Sequence, residues 1–121
     1  KDVDSSLVIV SETVTSGTEI SYKGKAYRKN SYRKPYLEDW VYNNTENALV
    51  MRDGDIPNTT AGWGGDTSME DYIRPYMTDG VISIGERDLI IAGELTNDIG
   101  RSHLPGFDSN DSIVLIRFTP Q

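Results

Sequence analysis

Apolar and β-branched residues recur at every second position in short runs along this chain, and Gly, Asn and Asp interrupt those runs at close intervals. Side chains alternate between the two faces of a strand, so this pattern reads as half-buried strands and not as helices. Runs of this kind fall at 6–15, 19–27 (nicked at Lys23-Gly24), 39–42, 48–52, 81–84, 88–96 and 112–119. They predict an all-β fold, a single-domain antiparallel β-sandwich of jelly-roll or Ig-like type with seven or eight strands, spanning residues 1–121. Asp53-Gly54 and Asp79-Gly80 supply the positive φ that tight reversals require, and Ser16-Gly17-Thr18 turns the first run into the second.

One short helix is predicted near 69–77. Thr67 and Ser68 offer hydroxyl caps with Glu70 and Asp71 three positions on, and Pro75 limits the run. Its expected place is over an open end of the sandwich or against an exposed sheet face.

The two terminal runs depart from simple alternation. Leu7 and Ile9 would point one way while Val8, Val10 and Val14 point the other, and Ile113 and Leu115 oppose Val114, Ile116 and Phe118. Both faces of both strands therefore need cover. Within one domain the helix and the long loops at 56–66 and 97–111 can supply it. The sharper expectation is that residues 1–15 leave their own domain as a donor strand and complete a neighbour's sheet. Such a contact, made head to tail between copies and left unclosed, builds a filament. In architecture this resembles donor-strand-assembled, pilus-like surface filaments, with no residue-by-residue correspondence.

Charge sharpens the idea of self-association. The chain has a net charge of −7, which repels phosphate backbones and argues against nucleic-acid binding. Six of the twelve basic residues nevertheless lie between Lys23 and Lys34, interleaved with Tyr22, Tyr27, Tyr32 and Tyr36, whereas acidic residues dominate from Asp53 to Asp111. A basic patch and an acidic body attract one another between copies. The plainer reading of the patch is a solvated hairpin whose lysines blunt a sheet edge.

Candidate chemistry is sparse. There is no Cys, which removes disulfides, thiol catalysis and Cys-ligated metals. The single His, His103, sits in a Gly/Pro-rich stretch without a nucleophile motif, and the carboxylates Asp53, Asp55, Glu86 and Glu94 flank expected turns, so an enzyme is not expected. No catalytic, cofactor or metal residue is assigned. Calcium is the candidate cation, at Asp53-Gly54-Asp55 or Asp108-Ser109-Asn110-Asp111, and turn formation is the preferred reading of both. Trp40 is expected in the core, and Trp63, bracketed by glycines, is the candidate ligand contact.

Asn43, Asn58 and Asn110 each begin an Asn-x-Ser/Thr sequon in a predicted turn or loop, which favours a glycoprotein that is extracellular or on the cell surface. The chain begins at Lys1 and carries neither a recognisable leader nor a run long enough to span a membrane, so it is expected to be a processed product or a fragment. The function expected is an extracellular structural or adhesive subunit that self-assembles through Leu7, Val8, Ile9, Val10 and Val14. The alternative is a monomeric secreted module that binds carbohydrate, or a partner through calcium, using Trp63 and the loop around Asp108.

Overall fold

The computed structural model describes residues 7–29, 35–42, 48–57, 68–95 and 112–120. Its elements in chain order are β1 (Lys23–Lys29), β2 (Pro35–Tyr42), β3 (Ala48–Met51), α1 (Met69–Ile73) followed by a 3-10 turn (Arg74–Tyr76), β4 (Met77–Thr78), β5 (Val81–Ile82), β6 (Leu89–Gly93) and β7 (Ser112–Ile116). Every strand pairing among them is antiparallel. The described residues are thus mostly strands in antiparallel sheets with one short helix, as the alternating pattern predicts.

The pairings form three sheets, β1–β2, β3–β6–β7 and β4–β5. The β1–β2 ladder shifts register between Lys25 and Tyr27, close to the expected nick, and Pro35 begins β2, where the missing N–H disturbs the ladder least. In the three-stranded sheet β6 is central, with Val50 opposite Ile91 and Met51 opposite Ile90 on one side, and Val114 opposite Ile91 and Leu115 opposite Ile90 on the other. Alternation then puts Met51, Ile90, Ala92, Ile113 and Leu115 on one face and Val50, Ile91, Val114 and Ile116 on the other.

The first face carries the core. Met51, Ile90 and Ala92 are buried together with Met69 and Ile73 of α1 and Ile82 of β5, and Tyr76, Met77, Ile84, Ile113 and Leu115 pack around them. Met69 and Ile73 are four positions apart, one above the other on a helix, so a five-residue helix can fill that face. A helix this short owes its stability to packing. It also has the cap the sequence offers: the Asp71 amide donates to the Ser68 hydroxyl oxygen (3.2 Å), and that hydroxyl donates to the Asp71 carboxylate (2.9 Å). The opposite face is covered at its centre as well, since Ile91 is buried.

Turn chemistry joins the pieces. Asp79 (φ 52°) and Gly80 (φ 80°) form the two-residue loop between β4 and β5, a left-handed pair suited to the twist of a hairpin. The turn after β3 is sewn to β5, because the Gly54 amide donates to the Ile82 carbonyl (2.9 Å) and the Ile82 amide donates to the Asp55 carbonyl (2.8 Å).

Several boundaries differ from the sequence reading, and four of them change the architecture. The strand expected over 6–15 is unpaired through residues 7–15, and the run from 19 joins a sheet only at Lys23. β2 starts at Pro35, ahead of 39, and the segment predicted as helix to 77 ends at Ile73, its last residue already in β4. The last difference follows from Pro75, which lacks an N–H for the helical ladder.

Two outcomes test this packing by urea denaturation. Ile73→Ala, at a position with 0% exposure, is expected to cost about 2–5 kcal/mol, while Ser68→Ala costs about 0.5–2 kcal/mol. A larger loss for Ser68→Ala would mean that the cap and not the core face holds α1. The Arg74 guanidinium (2.5 Å from Asp71) and then the Ser68 hydroxyl hold the Asp71 carboxyl below its ordinary range. A lowered folded-state pKa stabilises above the unfolded-state value, and the contribution is lost as pH falls through the folded one. Asp71→Asn should therefore flatten part of the stability loss below about pH 4; superimposable acid limbs would remove the pairing from the account.

Candidate functional site

Among the described residues, the large hydrophobic side chains left exposed fall into two groups. Leu7, Val8, Ile9, Val10, Val14 and Ile20 precede β1; Leu49 and Val50 lie in β3, with Ile56 just beyond it. Leu7 to Val10 are 67–80% exposed in four consecutive positions, which is rare on a soluble surface, where single exposed apolar residues are the norm.

The first group forms an arm. Its root is fixed where the Tyr22 and Ser112 hydroxyls are hydrogen-bonded, at the first residue of β7. Midway along it, the Thr18 amide donates to the Thr15 carbonyl (3.1 Å), closing a turn that Gly17 permits with φ 88°. From there to Leu7 no residue belongs to a strand, and every one is exposed.

The second group marks an edge. β3 has β6 as its single strand neighbour, and no other strand pairs with its second side among the described residues. Leu49 (39% exposed) and Val50 (38%) point to opposite faces, leaving this edge apolar on both. β7, the other outer strand, differs: all five of its residues are half-buried, and none is exposed. The cover that both terminal strands were expected to need is therefore present for β7 and absent for residues 7–14.

Asp53 and Asp55, weighed as catalytic or calcium ligands, accept hydrogen bonds from backbone amides, and so does Asp88, which was not among those weighed. Asp53 accepts from the Ile84 amide (3.1 Å), Asp55 from the Arg52 amide (2.8 Å), and Asp88 from the amides of Gly85 (3.2 Å) and Phe118 (3.1 Å). These are turn and loop acceptors, as preferred from the sequence. Glu86 is exposed in a turn. Glu94 is the exception, being fully buried after β6 and not at an exposed turn, and no buried side-chain nitrogen or oxygen among the described residues lacks a partner. No group of three or more His, Cys, Asp or Glu among the described residues could hold a metal ion.

Asn43, Asn58, Asn110, Trp63, His103 and the 108–111 loop lie outside the described residues. Trp40 is in β2, whose backbone alone is described. The β3 edge escaped the sequence reading, although its signal was present: Ala48-Leu49-Val50-Met51 is apolar at consecutive positions, the same two-faced pattern noted at the termini.

No helix among the described residues is long and apolar enough to cross a membrane. The chain matches no protein-family model, and no curated protein or solved structure matches it.

Proposed function

We propose that this chain is an extracellular structural or adhesive subunit that assembles head to tail by donating its N-terminal segment to the sheet of a neighbouring copy. The carrying observation is the exposed arm, in which Leu7, Val8, Ile9 and Val10 stand in water while the other terminal strand, β7, is half-buried. As a strand between two apolar surfaces, the arm would hide both of its faces at once. Burial of each such side chain is worth roughly 1.5–3 kcal/mol, against about 1–2 kcal/mol per residue to fix the backbone. An apolar arm can therefore be donated with a net gain, and a polar one cannot.

The remaining parts of the proposal rest on the sequence. A single β-sandwich domain is the architecture that joins the antiparallel sheets most economically, and the sequons at Asn43, Asn58 and Asn110 favour an extracellular setting. The role is structural and not enzymatic, with other copies of the chain as its partners.

Size-exclusion chromatography and electron microscopy of the chain with and without residues 1–15 test the proposal. The full chain is expected to form long, concentration-dependent assemblies, and the shortened one to remain monomeric with an unchanged circular dichroism spectrum. Two monomeric and equally stable forms would rule out strand donation.

A further inference from the structure

Resting on that reading, we infer that the arm's acceptor is the open edge of β3 in a second copy, with the arm parallel to β3 so that Ile9 lies beside Leu49, Val10 beside Val50 and Glu12 beside Arg52. Of the two outer strands of the three-stranded sheet, β3 has two exposed apolar residues and β7 none, which favours the β3 edge. Leu49 and Val50 open on opposite faces, as do Ile9 and Val10 when extended, so one strand covers both faces of the edge in a single contact.

Direction and register come from charge. Glu12 follows Val10 by two positions, and Arg52 follows Val50 by two. Both side chains are exposed, and neither has an ion-pair partner among the described residues. The parallel alignment sets this anion directly opposite this cation while keeping the aliphatic pairs together. The antiparallel alignment that pairs Ile9 with Val50 and Val10 with Leu49 sets Leu7, and not Glu12, opposite Arg52, so the ion pair is made in the parallel direction alone. The same complementarity names a second copy as the occupant, because its arm carries both the aliphatic pair that matches Leu49 and Val50 and the anion that matches Arg52.

A charge exchange tests the register in the full-length chain. Glu12→Arg and Arg52→Glu should each raise the concentration needed for half-assembly about three- to tenfold, and the double exchange should return it to within twofold of the parent. Both positions are exposed, so folding is not at stake. Because the chain has no native Cys, Ile9→Cys in one tagged copy and Leu49→Cys or Val50→Cys in another report contact directly. A short bismaleimide should join these copies at least tenfold faster than it joins Ile9→Cys to Val114→Cys in β7. Failure of the double exchange to rescue, faster joining to Val114→Cys, or joining within one chain would overturn the β3 assignment. If removal of residues 1–15 still abolishes assembly in that case, strand donation stands with a different acceptor; if removal changes nothing, donation itself is wrong.

Discussion

The pairing of β6 on both of its sides is the interaction on which the described architecture depends. Ile90 and Ile91 are adjacent, point to opposite faces and are both buried, so β6 is apolar throughout and satisfied along both ladders. One face is filled by Met69 and Ile73 of α1 with Ile82 of β5, and the turn after β3 is tied to β5 through two backbone hydrogen bonds. A sheet built outward from one central strand must also end somewhere, and among the described residues it ends at β3 and β7.

Those two ends are not equivalent. β7 lies half-buried on both faces, with Asp88 accepting from the Phe118 amide just beyond it and Tyr22 bonded to Ser112 at its start. β3 is four residues long, flanked by an acidic turn and open on both faces. Short length and nearby charge are ways in which proteins discourage unwanted edge pairing. An edge that retains apolar residues on both faces is guarded against non-specific partners while remaining suited to one complementary strand.

Much of the fold was legible in the sequence. β3, β5, β6 and β7 fall inside predicted runs, Asp79-Gly80 turns as its residue types require, and the cap on α1 uses Ser68 and Asp71 at the predicted spacing. The misses have physical causes. Alternation reports what a segment would do in a sheet and not whether an edge of its own sheet awaits it, so 6–15 and 112–119 looked alike until pairing separated them. Glu94 was grouped with turn carboxylates because sequence carries no measure of burial. The exposure of Leu49 and Val50 depends on which strand ends the sheet, a property of topology that no local pattern encodes.

Amide hydrogen exchange, measured in dilute monomer and in the assembled fraction, tests the central claim most directly, since exchange reports backbone pairing residue by residue. Amides from Leu7 to Val14 are expected to exchange without protection in the monomer and to become strongly protected on assembly, together with those of β3. Protection of the arm in the dilute monomer would mean that it pairs within its own chain, and its absence from the assembled fraction would mean that the arm is not what joins the copies.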